Sequence, residues 1–511
     1  PLSGSSLPGQ TGATTAPQPD QRAGHSGVRR WSPAEWLAWV AFAIAAVNVF
    51  VYTWRAANPL VISDGWFYLG AFIEKASQGL LTPSDFFIKR TALDHSLPLH
   101  KLLMLANYRF FGLDFIVDAF VGLLFGIATL LLIRRVLRQS SGPFFKTAPA
   151  QLGFVAICAV YLSLNAAGVF EWPLLAMGLC LQFFFFALFA SAWRACATGR
   201  YVLLALCAAA SLVVADGGGI IAVIATILAI GMLAARGWQR PRALLVMGLL
   251  AVFAVVYKVA YSMLAPPYAD APIKSGLSAV LAIPHLFQHM VMWIESSLSA
   301  SIMHPMLTAR AFGSRSPMVD AALAIILVIA HLWFWRQAFK GRPSATNHVA
   351  VCVMLLFYGF FAGVLLARVP AYGDASFSQP RYILFYQLNI VALLMMAIDA
   401  AAEAGLAPSA RRKTAALAVA SLALIVIQIP LAKMGWTHEV FQRRYVEHVA
   451  AQMDALAVNP QQPPANCLPQ LPVCRMPENR RRELMTLLER EHLNLFSDAF
   501  RRRHDFQAPP P

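Results

Sequence analysis

The feature that constrains this chain most is a run of about 20 apolar residues that recurs along its whole length. A helix rises 1.5 Å per residue, so roughly 20 residues cross the ~30 Å of hydrocarbon in a bilayer. Runs that meet this test begin near Trp36, Phe115, Gln151, Pro173, Tyr201, Gly219, Ala243, Val319, Val349, Ile383 and Thr414. They predict an all-α, polytopic membrane protein with about eleven transmembrane helices. Composition agrees: of 511 residues, 58% are hydrophobic and 13% charged, against about 45–50% and about 25% in soluble domains. Residues 276–302 are interrupted by His285, Gln288, His289 and Glu295 and read as an amphipathic or re-entrant helix.

The formal charge of +16 would point to nucleic acid in a soluble chain. Here the basic residues fall in every second connection: Arg29/Arg30, Arg134/Arg135/Arg138/Lys146, Arg194/Arg200, Arg236/Arg240/Arg242, Arg336/Lys340/Arg342 and Arg411/Arg412/Lys413. That is the pattern of cytoplasmic loops, so the excess is topological and no nucleic-acid partner is expected. The same rule puts the N-terminus inside and the C-terminus outside.

Residues 1–32, rich in Gly, Ser, Pro, Gln and Thr, read as a disordered cytoplasmic tail with no signal-peptide core. Residues 33–432 read as the membrane domain, with a long first outer loop at 56–114. Residues 433–511 read as a small outer domain with helical patterns at 437–457 and 479–500. Five cysteines sit in or beside apolar runs. Cys467 and Cys474 lie apart in a Pro-rich segment that faces an oxidising space, where they can pair.

The first outer loop carries the densest chemistry. Asp64 follows the first span by a few residues, and Trp66, Phe67, Leu69, Phe72 and Ile73 then recur at helical spacing, as in a helix lying in the interface plane. A second such helix is expected over Pro98–Phe111. Between and beside them stand Lys89, Arg90, Asp94, His95 and His100. A carboxylate can accept a proton from an attacking hydroxyl while cations neutralise a leaving phosphate. The plainer readings are that Asp64 caps a helix and that Lys89 and Arg90 snorkel to lipid phosphates.

Other outward positions add candidates. Glu171 ends a short turn just before the next span. Asp216 precedes Gly217–Gly219 and reads first as an N-cap, with glycines that permit close backbone approach. Arg368, Asp374, Arg381 and Tyr382 lie in or beside the third long outer loop. An Arg there can hold phosphate oxygens with a fork of donors, or anchor at the interface; Arg368 and Asp374 can also pair with each other. His285 and His289 share a helix face, but no acidic or HExxH partner accompanies them, so a polar stripe is expected rather than a metal site. Arg480–Arg482 and Arg501–Arg503 read as solvated helix faces. No P-loop, dinucleotide fingerprint or GxSxG elbow occurs, so ATP- or NAD-driven activity has no support and no cofactor is expected, a divalent metal being left open without a motif behind it.

This layout resembles the GT-C superfamily of polytopic membrane glycosyltransferases, among them aminoarabinose transferases and protein O-mannosyltransferases. In that family a large first outer loop with interfacial helices carries a catalytic acid just after the first span. Asp64 in VISDGWFYLG matches that position, LDHSLPLHKLLM resembles the segment that leads to the second span, Glu171 in FEWPLLAMG resembles an acid that opens a later span, and Arg381-Tyr382 in SQPRYILFY resembles a late Arg-Tyr. Many members carry paired acids in the first loop, whereas this chain has Ser63-Asp64-Gly65. The resemblance implies an enzyme of the bacterial inner membrane that takes a sugar from a polyprenyl-phosphate donor to a lipid, glycan or protein acceptor on the periplasmic side. It implies Asp64 as general base, Lys89, Arg90 and Arg381 at the donor phosphate, and His95, His100, Asp94 and Glu171 near the sugar or acceptor. The rival readings are a polysaccharide polymerase or O-antigen ligase, which would depend on outer Arg and His, and a transporter or flippase, which would carry charge in mid-span. A non-enzymatic assembly scaffold is the blandest.

Overall fold

The computed structural model describes residues 32–90, 94, 96–266, 275–405 and 408–506, and every regular element among them is helical. The apolar helices, in chain order, are α1 (Pro33–Ala56), α2 (Ile116–Ser141), α3 (Ala148–Tyr161), α4 (Pro173–Thr198), α5 (Val202–Ala215), α6 (Gly217–Ala235), α7 (Arg240–Leu264), α8 (Ser316–Lys340), α9 (Ala345–Ala367), α10 (Pro380–Ala404) and α11 (Pro408–Val458). Short turns extend α3 to Glu171, and with that extension ten of the described helices are long and apolar enough to cross a bilayer. The multi-pass membrane reading therefore stands, with one change in the expected eleven. Helix α5 has 14 residues and rises only about 21 Å. The cause is local: Asp216, at φ 46°, turns the chain straight back into α6. The glycines after it let the two helices touch, since a Cβ on Gly219 would lie 2.3 Å from the Ser211 carbonyl oxygen.

Helix α1 begins where Ser32 and Glu35 cap each other's backbone N–H, at 3.2 and 3.1 Å, a reciprocal arrangement that satisfies two orphan donors. The tail expected over 1–32 otherwise lies outside the described residues. The helices alternate in direction, so their basic ends gather. Arg236 donates to the Ala338 carbonyl (3.0 Å), Arg242 to Ala197 (3.1 Å), and Glu403 accepts from the Arg342 N–H (3.1 Å). The opposite end is knit by other contacts: Asn58 N to the Glu171 carbonyl (2.9 Å), Phe115 N to Pro59 (3.3 Å) and Gly276 N to Leu366 (2.8 Å). Asp64 belongs to this second end.

The outer faces are apolar. Val252, Val255, Val256 and Val259 of α7 and Ile325, Ile326, Ile329 and Leu332 of α8 are all exposed, the reverse of a water-soluble surface and what a lipid solvent requires. The segment 276–302 forms two helices, Leu277–Leu281 and Leu286–Ile302. The longer one packs on α8 and α10 and is tied at Ala300, whose carbonyl accepts from Asn165 at 2.7 Å.

Helix α11 runs for 51 residues, about 75 Å, and passes residue 433 without a break, so the expected domain boundary falls inside a helix. Its distal half does not pack alone. Val449, Met453 and Leu456 share one core with Leu484 and Leu488 of the helix Glu478–Arg490 and with Val61, Trp66, Leu69, Phe72 and Met104 of the first outer loop. Cys467 and Cys474 form a disulfide, with Cα atoms 6.4 Å apart. The arginine clusters expected to be solvated are largely structural. Arg480 pairs with Glu74 (2.8 Å), Arg481 is buried and donates to the Cys474 carbonyl (2.9 Å), Arg501 pairs with Asp454, and Arg503 pairs with Asp114 (2.6 Å). A lobe of this size needs such ties, because a small unit buries little apolar area by its own packing.

Gly219→Ala should lower the melting temperature of the detergent-solubilised protein, with a loss of about 1–3 kcal/mol from forced backbone separation. Gly248→Ala, whose Cβ meets nothing within 4 Å, should leave it unchanged or slightly raised. Equal behaviour of the two would remove the close α5–α6 approach.

Candidate functional site

Asp64 opens the helix Asp64–Tyr68, which continues through a π-turn Leu69–Ile73 into Glu74–Ser77. The apolar face expected there is buried: Trp66, Leu69, Phe72 and Ile73 have no exposed surface. The residue before it, Ser63, sits at φ 48°, a conformation that non-glycine residues rarely hold without support. Support comes from the C-terminal segment, because the Ser63 N–H donates to the Gln470 carbonyl at 2.7 Å. Gln470 lies inside the seven-residue interval closed by the Cys467–Cys474 disulfide. Asp64 is therefore aimed by a contact between two distant parts of the chain. Its side chain is not used as an N-cap, and the N-cap position, Ser63, makes no side-chain capping bond either.

The Asp64 carboxylate accepts from the Arg90 guanidinium, and Arg90 reaches Asp94 through Nε at 3.3 Å. Arg381 and Arg368 lie close enough for their charges to act on Asp64. Arg381 begins α10 with its guanidinium 5.1 Å from the Tyr382 ring, and its buried Nε has no acceptor among the described residues. Arg368 ends α9 with its guanidinium 5.9 Å from the Tyr372 ring. Five residues expected from sequence, Asp64, Arg90, Asp94, Arg368 and Arg381, thus come from three separate segments to one place. Burial raises the Asp64 carboxyl above the ordinary carboxylate range, and Asp94 adds to that; Arg90, Arg381 and Arg368 act the other way but do not cancel it. About a third of the Asp64 side chain (31%) remains exposed, so the group is both perturbed and reachable.

Lys89 points to a neighbouring cluster. It pairs with Asp216 at 3.1 Å and lies 4.8 Å from the Tyr261 ring centroid. Burial opposes its charge, but Tyr261 and Asp216 outweigh this and hold the ammonium above the ordinary lysine range. Asp216 also accepts from the Tyr257 hydroxyl at 3.2 Å. The N-cap expectation for Asp216 is thereby corrected: it occupies the cap position of α6 but makes no side-chain capping bond, because Lys89 and Tyr257 take both of its oxygens.

The remaining expected residues are held elsewhere. Glu171 accepts from the Tyr52 hydroxyl at 2.5 Å and from His438 at 2.9 Å. Asp374 binds Trp293 Nε1 (3.0 Å) and His289 (3.1 Å), so its partner is not Arg368. His100 is buried on the helix Pro98–Phe111, 4.0 Å from Asp118. Burial, then Lys101, push its imidazole down to about 4. His95 lies outside the described residues. No group of three or more His, Cys, Asp or Glu among the described residues is arranged to hold a metal.

Sequence reading passed over Lys101. Its side chain is fully buried, its ammonium donates to the Ser96 carbonyl, and it lies 5.3 Å from the Tyr68 ring centroid. The available signal was its place on the apolar face of the predicted helix Pro98–Phe111, where a lysine is costly. Burial, then repulsion from Lys89, push it down to about 7, with Asp216 acting in the opposite sense.

What the fold and this cluster define is a helical polytopic membrane protein with a charged, partly open site at one end of its bundle. No family model, curated protein or solved structure matches the chain.

Lys101 yields a signed prediction. An unfolded lysine titrates near 10.4, so between about pH 7 and pH 10 the unfolded chain holds a proton that the folded one has lost. Wild-type stability therefore gains with rising pH across that window, and the burial penalty is complete below it. Lys101→Met should raise the melting temperature most at pH 6, and its advantage should shrink toward pH 10. A difference that stays constant with pH would rule out a charged amine buried at this position.

Proposed function

We propose that the chain is a membrane glycosyltransferase that moves a sugar from a polyprenyl-phosphate donor to an acceptor on the periplasmic side of a bacterial inner membrane. The observation that carries this reading is the meeting of one reachable, perturbed carboxylate, Asp64, with Arg90, Arg368 and Arg381. The apolar outer faces of the bundle suit a lipid-borne donor, and the basic ends of the helices, at the opposite end from Asp64, suit a cytoplasmic face.

In this reading Asp64 is the base. The acceptor hydroxyl gives its proton to the Asp64 carboxylate, its oxygen bonds to the anomeric carbon, and the bond from that carbon to the phosphate oxygen breaks. The electron pair leaves with the phosphate. Arg90, Arg381 and Arg368 stabilise the charge that develops there, as fixed donors do in a site of low dielectric constant. Lys89 completes the cationic wall, held by Asp216. Arg90 has to share itself between Asp64 and the donor phosphate, which releases the carboxylate as the phosphate arrives. Asp94, on the same guanidinium, steadies it during that exchange.

A second reading has its own support. Asp64 is already engaged by Arg90, and three arginines surround it, which also suits an O-antigen ligase or polymerase that relies on outer Arg and His rather than on an acid.

Membrane glycolipids and glycans from cells with wild type, Asp64→Asn, Arg381→Ala or no copy, compared by mass spectrometry at matched protein level, separate these readings. The expected result is a glycoform heavier by one sugar with wild type, lowered by about 10²–10⁴-fold in Asp64→Asn, the usual worth of a general base. With purified protein, activity should rise with pH along a limb that lies above the ordinary carboxylate range, because the base must be ionised and burial raises it. A fully active Asp64→Asn with an inactive Arg381→Ala would move the assignment to the arginine-dependent class. No difference between wild type and deletion would turn it toward transport.

A further inference from the structure

A second polar site lies at the same end of the bundle, lined by none of the residues of the Asp64 cluster. Where α1 ends, Trp54 and Arg55 face the distal half of α11 and the last helix, Asp498–Arg503, across a cavity of about 270 Å³. That is several times the ~30 Å³ a water occupies in the liquid. Arg55, Arg443 and Arg503 line it together with Glu447 and Asp505.

The charges on this lining are unevenly satisfied. Arg55 is balanced by Glu439 at 3.0 Å and Arg503 by Asp114 at 2.6 Å, with His504 on the same carboxylate at 2.9 Å. Arg443, Glu447 and Asp505 make no ion pair among the described residues, although Arg443 and Glu447 are four apart on one helix, the spacing at which such pairs normally form. One unengaged guanidinium and two unengaged carboxylates therefore face one cavity. A simple anion would meet the carboxylates, and a simple cation would meet three guanidiniums. A ligand with both signs a few ångströms apart satisfies both.

The surroundings say where such a ligand comes from. Trp54 is half exposed, and Val47, Phe50 and Val51 continue its exposed stripe down α1. Phe120 of α2 stacks beside them, 4.7 Å from Phe50 and 6.1 Å from Trp54 by ring centroids. An apolar track between α1 and α2 thus leads up to the cavity, and an aromatic residue at the junction is the usual marker of a headgroup level.

We propose that this cavity binds the phosphoethanolamine headgroup of a phospholipid whose acyl chains follow the α1–α2 track. The phosphate meets Arg443 with Arg55 and Arg503 beside it, and the primary ammonium meets Glu447 and Asp505. This site is independent of the glycosyltransferase reading.

The test uses the full chain in mixed micelles with equal amounts of phosphatidylethanolamine and phosphatidylglycerol, with retained lipids counted by native mass spectrometry. Arg443 and Glu447 are both exposed, so Arg443→Ala and Glu447→Gln leave the core intact, and unchanged melting temperatures verify it. Wild type should retain phosphatidylethanolamine about tenfold over phosphatidylglycerol, the worth of one charge-assisted hydrogen bond. Arg443→Ala should lose that lipid by a similar factor. Glu447→Gln should keep the phosphate contact and lose the preference. Equal retention of the two lipids by wild type overturns the proposal, as does undiminished phosphatidylethanolamine on both variants. Free O-phosphoethanolamine bound as tightly as the lipid would overturn the lipid source.

Discussion

A backbone that crosses hydrocarbon must satisfy every N–H and C=O within itself, and here that requirement orders everything else. It makes each span a helix and turns valine and isoleucine outward on α7 and α8. It also pushes the ionisable groups toward the ends of the bundle, where water and headgroups can share their charge. At one end the consequence is a collection of basic termini that bind the carbonyls of neighbouring helices and, at Arg342, the Glu403 carboxylate. At the other it is a network of carboxylates and cations that extends from Asp64 and Arg90 through Lys89 and Asp216. The second end needs more than helix termini to hold its shape, and the additional material is the core that the first outer loop shares with the C-terminal segment. Met104 and Trp66 belong to one buried core with Val449 and Leu484 there, so each part covers apolar surface of the other.

The electrostatics of the Asp64 end follow from that core. Unit charges 4 Å apart interact by about 4 kcal/mol at an effective dielectric constant near 20, against about 1 kcal/mol in water. A carboxylate set beside buried Trp66 and Tyr68 loses hydration, and three arginines are what such a position requires to remain ionisable at all. The same desolvation that raises Asp64 makes it a better proton acceptor than an exposed aspartate. Lys101 illustrates the opposite arrangement: an amine without a carboxylate of its own, next to a second lysine, drops toward neutrality. One small region therefore contains a raised acid, a lysine held charged by Asp216 and a lysine pushed toward its neutral form. Contrasts of this kind arise where environments, rather than residue types, set protonation.

The spans were legible because twenty apolar residues leave few alternatives, and the helix Pro98–Phe111 was legible from its 3.6-residue stripe. The short α5 was not, because hydropathy does not record that Asp216 reverses the chain or that Gly219 lets α6 lie against Ser211. At residue 433 the expected boundary meets an unbroken helix for a related reason. Polar residues after the last apolar run signal a change of surroundings, not the end of a helix, and α11 continues through them. At the site, Asp64, Arg90, Asp94, Arg368 and Arg381 stood out as charges at outer boundaries. Glu171, Asp374 and His100 stood out equally, yet Glu171 is held by Tyr52 and His438 and Asp374 by Trp293 and His289, while His100 is buried with its Nε2 making no hydrogen bond among the described residues. Charge at a boundary is visible in one dimension; the partner that claims it comes from a segment 81 to 267 residues away. Lys101 was missed because a single lysine in an apolar stripe looks like tolerance rather than burial.

The link through Gln470 shows how far the Asp64 position depends on such distant partners. Ser63 holds a left-handed backbone that its own side chain does little to stabilise, and the bond to the Gln470 carbonyl is what fixes it. Gln470 is in turn confined between Cys467 and Cys474, and the lobe that carries them is fastened to the first loop by Arg480 on Glu74 and by Asn494 on the Pro59 and Leu113 carbonyls at 2.9 and 2.7 Å. The C-terminal lobe is therefore a clamp on the segment that presents the carboxylate. A transporter would gain little from such a clamp, since alternating access asks the elements around a mid-membrane site to move against each other. A surface enzyme gains directly, because a general base acts only from a fixed position relative to the hydroxyl it deprotonates. The rigidity invested in Ser63 and Asp64, away from the bundle centre, weighs toward chemistry at the membrane surface.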